Sequence, residues 1–306
     1  MSQRKIKRVS IFKSVTRRRD LKGLLFMIPW LFGFCMFFAI PLVQSVIFSL
    51  NKVVITANGR KMTPVGFENY SNIFNVDIYF MPRIQAFFSG VLLSLPVIIV
   101  FSLLIAMLIN QQIRGKGLFR AIFFLPIIVV SGPVLQMLIA EGATTIPIIE
   151  QYGLFEALSG LPPFLLDPIA ALFRQLIMVL WYSGVPILIF LAGLQKADHS
   201  LYEAAMIDGA SGWVVFWKIT LPMLRGMILI NAIYTLVFLA SSEINDVTLL
   251  IRDYMLSPDR GYGIASAMAW AYSLMIVLAI GLIYLLIGRE KKDKVNRAQI
   301  YRKKGW

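Results

Sequence analysis

The sequence predicts an all-α membrane protein with six transmembrane helices. Of its 306 residues, 58% are hydrophobic and only 15% are charged, whereas soluble domains are about half apolar and about a quarter charged. The mean hydropathy is +0.74. Six long windows contain no Asp, Glu, Lys or Arg, and a spanning helix needs about 20 mostly apolar residues. Few soluble folds offer six such windows in one chain.

The six windows define the predicted spans, and the fifth is the shortest. They cover about residues 23–51, 84–113, 121–140, 175–195, 226–242 and 261–288, within a membrane domain of residues 23–288. Prolines recur inside them, and a membrane helix tolerates proline where neighbours or water satisfy the freed carbonyls. Kinked helices around a polar path show this pattern, and static bundles show it as well.

The distribution of basic residues predicts the orientation. Of the 30 Lys and Arg residues, 23 lie in two basic tails, residues 1–22 and 289–306, and in the connections that follow the second and fourth spans. The other seven lie on the opposite side. Because cytoplasmic loops are enriched in Lys and Arg, both termini are expected in the cytoplasm. The net charge of +14 is then a topology signal and a lipid-facing charge, and we expect no nucleic-acid partner. Residues 52–83, 141–173 and 243–260 are predicted outer loops.

Several chemistries lack the residues that they require. The chain has a single histidine, His199, and a single cysteine, Cys35, so neither a His-rich metal site nor an internal disulfide is expected. No phosphate-binding loop of the G-x-x-x-x-G-K-[ST] type is present. The ionisable residues lie at window edges, as Glu243 does, whereas ion-coupled carriers usually place them well inside their spans. The energy for any transport is therefore expected from a source other than an ion gradient coupled through this chain.

The stretch from Leu201 to Pro222 is a half-polar island between the fourth and fifth spans. Its periodicity predicts a helix–turn–helix hairpin on the cytoplasmic side. Ser200 and Glu203 fit the S-x-x-E capping box at its start, and Gly209 or Gly212 is expected to break the first helix. The aromatic residues of the second half are expected to pack against the inner ends of the spans, and contact with a partner subunit is the alternative; these are Trp213, Phe216 and Trp217.

The segment EAAMIDGASGWVVFWKITLP resembles the EAA loop of the membrane subunits of binding-protein-dependent ABC importers. The matching positions are Glu203, Ala204, Ala205, Asp208, Gly209, Ala210, Phe216, Ile219, Leu221 and Pro222. The earlier GKGLFRAIFFLP, with Arg120 and Pro126, also looks like the sugar-permease branch. The resemblance implies a type I ABC importer permease fold, with the loop of residues 196–224 between spans four and five.

The resemblance also implies partners and a coupling site. Its ATPase-coupling residues would be Glu203, Ala204, Ala205, Asp208, Gly209 and Ala210. They would dock on a separate ATP-binding subunit, itself a dimer, which uses ATP and Mg²⁺, while this chain binds no cofactor or metal. Whether Glu203 contacts that subunit, caps the helix or does both stays open. The other implied partners are a second homologous permease, an extracytoplasmic solute-binding protein and membrane lipid.

The expected substrate is a sugar or oligosaccharide, crossing a bacterial or archaeal cytoplasmic (inner) membrane. Sugars are bound by aromatic faces and hydrogen-bonding side chains. Candidates at mid-span or outer depth are Trp181, Tyr182, Thr235, Ser242 and Asn245, with Trp270 and Tyr272 as weaker ones. The alternative for each is ordinary helix packing or an interfacial aromatic.

Two other functions compete with a transport subunit that is not itself an enzyme. A secondary carrier or channel would work without an ATPase. A membrane enzyme, such as a lipid or glycan transferase, would need acidic or histidine clusters at one membrane face, and the sequence shows none.

Overall fold

The computed structural model describes residues 25–56, 59–111, 176–257 and 261–288, together with Gly117, Met137 and Pro162. These residues are mostly helical. The elements, in chain order, are α1 (Leu25–Ser49), β1 (Asn51–Thr56), β2 (Gly59–Pro64), α2 (Glu68–Asn75), α3 (Phe80–Asn110), α4 (Leu176–Gln195), α5 (His199–Ile207), α6 (Gly212–Met223), α7 (Arg225–Ala240), α8 (Asp246–Leu256) and α9 (Gly261–Gly288).

Five of the six predicted spans coincide with helices in the described residues: α1, α3, α4, α7 and α9. The sixth, predicted at 121–140, lies outside the described residues apart from Met137, as do both basic tails and most of 141–173. Within the described parts, four helices are long and apolar enough to cross a membrane. A fifth crossing results if α6 and α7, which meet at a bend of 63°, form one span.

Two π-helical turns occur directly before a proline. In α1 the turn Cys35–Ala39 ends where the Ile40 amide donates to the Cys35 carbonyl, and Pro41 follows. In α6 the Leu221 amide donates in the same way to the Phe216 carbonyl, and Pro222 follows. A proline has no amide hydrogen and its ring clashes with the carbonyl four residues earlier. Widening the preceding turn to i→i−5 bonds keeps the helix continuous at both places.

The chain divides into two compact units, Met1–Asp77 with Ile251–Trp270 and Ile78–Leu250 with Ala271–Trp306. The first contains a β-hairpin where the sequence predicted only a loop, so the all-α prediction is wrong at residues 51–64. β1 and β2 pair antiparallel, with Asn51 opposite Pro64 and Thr56 opposite Gly59. The side-chain amide of Asn69 in α2 donates to the carbonyls of Ser49 (2.9 Å) and Asn51 (3.1 Å) and so secures the hairpin base.

The start of α9 lies directly on this hairpin. An added Cβ at Gly263 would collide with the Asn51 carbonyl oxygen, and one at Gly261, where φ is +68°, would lie 2.6 Å from the Val53 carbonyl oxygen. The indole of Trp270 donates to the Ser45 hydroxyl at 3.1 Å. Trp270, a weaker substrate-path candidate, therefore has a packing role in this unit.

The second unit is organised by α3, α4 and α7. Its apolar core contains Ile99, Leu103, Ala106 and Ile109 of α3, Ile187, Phe190, Leu191 and Leu194 of α4, and Leu224 and Ala232 at and within α7. Polar side chains are also buried there. The Asn231 amide donates to the Pro186 carbonyl at 3.3 Å, while Asn231 Oδ1 and Thr235 Oγ1 have no hydrogen-bond partner within the described structure.

Candidate functional site

The first arm of the helical hairpin formed by α5 and α6 begins at Asp198. Its carboxylate accepts a hydrogen bond from the Ser200 amide at 3.0 Å, and its backbone is extended (φ −71°, ψ 116°). This is the geometry of a helix N-cap. The predicted capping box of Ser200 and Glu203 is therefore wrong, because the helix starts at His199 and Glu203 lies one turn beyond the first free amides. Glu203 is exposed, and its carboxylate is not used in the cap.

Gly209 ends this first arm, as predicted. Its φ is +74°, a left-handed conformation that costs an ordinary L residue about 1–2 kcal/mol. The Gly209 amide donates to the Met206 carbonyl at 3.1 Å, and the Ala210 amide donates to the Ala205 carbonyl at 2.9 Å. Together these bonds form a Schellman motif. Gly212, the alternative breaker, instead begins α6.

The second arm is capped and tied to the first. The Ser211 hydroxyl accepts from the Val214 amide at 3.4 Å. The Tyr202 hydroxyl of α5 lies 3.3 Å from the Thr220 hydroxyl of α6, and Thr220 is only 5% exposed. Phe216 packs against the core shared by α3, α4 and α7. The two arms therefore form one small frame that is continuous with the helix bundle.

The predicted coupling residues surround the tip of this frame. Glu203, Ala204, Asp208 and Gly209 are exposed, and Ala205 and Ala210 are half-buried. Small side chains next to two carboxylates leave a surface that another protein can approach closely. Among the helices that the structure describes, none covers this surface.

The aromatic residues of the second arm divide into two groups. Phe216 packs inward, as predicted. Trp213 is 70% exposed and Trp217 is 49% exposed, so the prediction that they pack against the inner ends of the spans is wrong for both. Their rings contact each other edge to face, with centroids 5.5 Å apart. Because α6 presents only one side to the core, and Phe216 and Thr220 occupy it, these indoles are left outside.

A cavity of about 310 Å³ opens in the second unit, at the low end of the volumes of ligand pockets. It lies between the first half of α3, the start of α4 and the connection from α7 to α8. Its lining residues are Arg83, Ala86, Phe87, Gly90, Val91, Ser94, Met178, Tyr182, Leu239, Ser242, Ile244, Asn245 and Asp246.

Three of the five main substrate-path candidates line this cavity: Tyr182, Ser242 and Asn245. The other two do not. Thr235 is 1% exposed within the bundle, and Trp181 packs beside the small core of Ile98, Val179 and Tyr182. Sequence windows place all five at similar depth, but the rotation of each helix about its axis decides which side chains reach the opening.

Asn245 lines the cavity but has its polar atoms occupied. Its carbonyl oxygen accepts from the Val247 amide at 2.9 Å, which caps α8. Its amide donates to the Ala240 carbonyl at 2.9 Å and to the Tyr272 hydroxyl at 2.7 Å. The Tyr272 ring also meets the Phe87 ring edge to face. Asn245 and Tyr272 therefore support the cavity wall.

Three lining residues whose side chains could contact a ligand escaped the sequence reasoning. Phe87 supplies an aromatic ring, Ser94 a hydroxyl that donates to the Gly90 carbonyl at 2.8 Å, and Arg83 a guanidinium that donates to the Asp246 carbonyl at 3.2 Å. Arg83 was the one signal in the sequence that could have pointed to this cavity. It was left out of the second span because the windows were defined as free of charged residues. In the structure α3 begins at Phe80, and Arg83 lies in its first turn.

Metal binding finds no support in the described ranges, where no group of three or more His, Cys, Asp or Glu side chains is placed to hold an ion. The side chain of His199 lies outside the description. The polar groups of the cavity are hydroxyls, one guanidinium, one carboxylate and an amide, a set suited to hydrogen-bonding a neutral polar ligand.

The protein has long apolar helices, a cavity lined by several of them and a helical hairpin whose second arm meets α7 at a bend. These are features of a polytopic helical protein of the transporter class. The chain belongs to the family of binding-protein-dependent transport system inner membrane components, whose sequence profile matches residues 82–289. The resemblance drawn from the hairpin motif is thereby confirmed.

Relatives and solved structures agree with this family. The chain is 29% identical over 286 residues to the probable ABC transporter permease protein YesP of Bacillus subtilis, covering 89% of this chain and 90% of that protein. It is 28% identical over 302 residues to the trehalose/maltose transport system permease protein MalF of Thermococcus litoralis, covering 92% and 98%.

A structural relative shares the fold. A chain of a bacterial ABC transporter involved in the import of the acidic polysaccharide alginate superposes with a TM-score of 0.59 at 19% identity, covering 92% of this chain and 100% of that one.

Proposed function

We propose that this chain is the membrane-spanning permease subunit of an ATP-driven, binding-protein-dependent importer of a sugar or oligosaccharide. It forms half of the translocation path and does not itself hydrolyse ATP. Family membership supports the transport role. The sugar class is supported by the relative named as a trehalose/maltose permease and by the alginate transporter.

The observation that carries the coupling role is the hairpin of α5 and α6. Its exposed tip bears Glu203, Asp208 and Gly209, and the bond between Tyr202 and Thr220 joins its arms. A rigid frame continuous with α7 transmits a displacement of the tip to the bundle. In this proposal the tip docks on an ATP-binding subunit, present as a dimer, and nucleotide-driven closure of that dimer drives alternating access.

The proposed membrane arrangement has six spans and two cytoplasmic termini in the inner membrane of a bacterium or archaeon. It is supported by the bias of 23 basic residues to seven and by the rule that cytoplasmic loops are basic. A second homologous permease supplies the other half of the path, and an extracytoplasmic solute-binding protein delivers the sugar. ATP and Mg²⁺ belong to the partner subunit.

The proposed substrate path runs through the cavity beside Tyr182. The rings of Phe87 and Tyr182 supply apolar faces for a sugar ring, and the hydroxyls of Ser94 and Ser242 can bind its hydroxyls. Asn245 contributes by supporting the wall and not as a ligand, because its polar atoms are already paired.

The test is a comparison of hairpin variants in the assembled complex. Glu203→Lys reverses the charge at the docking tip, and Gly209→Asp adds a side chain where φ is positive. We expect both to lose the ATP-binding subunit during co-purification or to separate ATP hydrolysis from transport. Glu243→Lys, a reversal at an exposed carboxylate outside the hairpin, and Gly212→Ala, at an open helical glycine, are the controls and should behave as wild type.

If both hairpin variants co-purify with the ATPase and transport normally, the coupling role is wrong. Transport that persists without the ATP-binding subunit and stops when the membrane gradient is dissipated would establish the secondary carrier instead.

A further inference from the structure

The exposed side of α6 carries an aromatic pair that the coupling role does not use. Trp213 and Trp217 lie four residues apart with 70% and 49% of their surface exposed. Val214 and Met223 add further exposed apolar surface on the same arm. Tryptophan is enriched where a protein crosses from hydrocarbon to water, because its ring is apolar and its N–H is polar.

The bend between α6 and α7 places this pair at a definite depth. The helices meet at 63°, so with α7 along the membrane normal α6 lies closer to the membrane plane than to the normal. About 16 Å of helix separates Trp213 from Leu224 at 1.5 Å per residue, which projects to a depth of about 7 Å below Leu224. The polar layer on each side of the hydrocarbon core is about 5–7 Å thick. With Leu224 at the edge of the hydrocarbon core, both indoles fall within that layer.

The sides of α6 have different surroundings. Phe216 and Thr220 face the bundle, and the two tryptophans adjoin that side. Lys218, the residue after Trp217, is exposed and is turned by about 100° from it. A helix with an aromatic side, a basic side and a shallow tilt has the features of an interfacial amphipathic helix.

We propose that α6 is an interfacial anchor: Trp213 and Trp217 insert between the lipid headgroups, and Lys218 binds the phosphates of anionic lipids. Two observations favour lipid over a protein partner. The pair lies at headgroup depth, and the adjoining charge is positive, as an anionic leaflet requires. The placement takes α7 along the membrane normal, with Leu224 at the edge of the hydrocarbon core. The identity of the leaflet rests on the proposed function.

The anchor restrains the base of the hairpin while leaving its tip free. The coupling residues are on α5 and at the turn, and the indoles are on α6. The ATP-binding subunit would therefore move a hairpin whose second arm is held in the headgroup layer.

Fluorescence quenching of the full-length chain in lipid nanodiscs tests the anchor. Replacing Trp30, Trp181, Trp270 and Trp306 with phenylalanine leaves the α6 pair as the tryptophan emitters. Phosphatidylcholine brominated high on its chains is expected to reduce the pair's emission about twofold, since interfacial indoles lie beside the bromine atoms. Aqueous iodide should quench it weakly.

A matched control places one tryptophan at the hairpin tip. In the same background with Trp213→Phe and Trp217→Phe, Ile207→Trp puts the emitter at a position that is 86% exposed, where iodide should quench and brominated lipid should not. If the variant with four replacements fails to fold, the lipid quenching of the α6 pair is obtained by difference. The quenching measured for Trp213→Phe/Trp217→Phe is subtracted from that of wild type. A pair quenched by iodide and not by brominated lipid, or shielded only when the ATP-binding subunit is added, overturns the proposal.

The role of Lys218 has its own measurement. Brominated phosphatidylglycerol should quench the pair at a roughly fivefold lower mole fraction than brominated phosphatidylcholine, because one basic side chain at a charged leaflet contributes that preference. Lys218→Gln should abolish the difference, and Lys196→Gln, at the other end of the hairpin, should retain it. Equal quenching by both lipids in wild type overturns the assignment of Lys218 to lipid phosphates.

Discussion

The side-chain amide of Asn245 donates to the hydroxyl of Tyr272 at 2.7 Å. The Tyr272 hydroxyl in turn donates to the Ala240 carbonyl at 3.2 Å, and Asn245 caps α8 through the Val247 amide. One asparagine therefore joins the end of α7, the start of α8 and the middle of α9 at the wall of the cavity. In low-dielectric surroundings a paired network of this kind is worth more than its separate bonds.

The first prediction is that Asn245 acts on stability and not on substrate affinity. Asn245→Ala leaves buried backbone groups unpaired and should lower the stability of the purified complex by about 1–3 kcal/mol, measured as a drop in unfolding midpoint. The substrate concentration that gives half-maximal transport should not change. Ser241→Ala, at an exposed neighbour whose hydroxyl bonds its own helix, should leave both unchanged. A large rise in that concentration would identify Asn245 as a ligand.

The second prediction concerns the volume of the cavity. An added Cβ at Gly90 meets no atom within 4 Å, so Gly90→Leu can fold normally while its side chain fills part of the opening. We expect transport and stimulated ATP hydrolysis to fall at least tenfold, with an unchanged unfolding midpoint. Gly33→Leu on α1, also at an open position, is the control. Normal transport by Gly90→Leu would show that the substrate path does not run through this cavity.

The third prediction concerns the contact between α9 and the β-hairpin. A methyl group at Gly263 would collide with the backbone carbonyl of Asn51, and a backbone atom in a paired strand cannot move aside as a flexible side chain can. Gly263→Ala should cost about 1–3 kcal/mol, as overpacking does, and should open residues 51–64 to limited proteolysis. Gly281→Ala, on the same helix but in open space, should resist the protease like wild type.

The fourth prediction concerns the frame of the coupling hairpin. Tyr202→Phe removes the contact to Thr220 without changing the ring, so the ATP-binding subunit should still co-purify. The hairpin arms would then move more independently, and fewer substrate molecules should be transported per ATP hydrolysed. The measurement is the ratio of transport to hydrolysis in proteoliposomes, with Tyr70→Phe in the first compact unit as a tyrosine control. An unchanged ratio would show that the bond has no part in coupling.

The helices and the hairpin were largely predictable from the sequence. Apolar windows are a local property, and α3, α4, α7 and α9 begin and end within a few residues of them. A glycine breaker was also predictable, since a glycine after an amphipathic run commonly takes positive φ, but the choice between Gly209 and Gly212 was made only by the structure. The β-hairpin was missed because its strands are short and β2 is largely polar, and pairing with each other is what makes them strands. The N-cap was missed because Asp198 and Ser200 both fit the start of a helix.

The sequence by itself determined the class of the protein, the positions of its long apolar helices and the motif of its helical hairpin, because each depends on residues close together in the chain. Only the tertiary structure decided which side chains line the cavity, why Asn245 supports its wall while Thr235 is buried away from it, and why Phe216 turns inward while Trp213 and Trp217 stay outside. These outcomes depend on the rotation of each helix against its neighbours, and that rotation is set by packing between segments far apart in the chain.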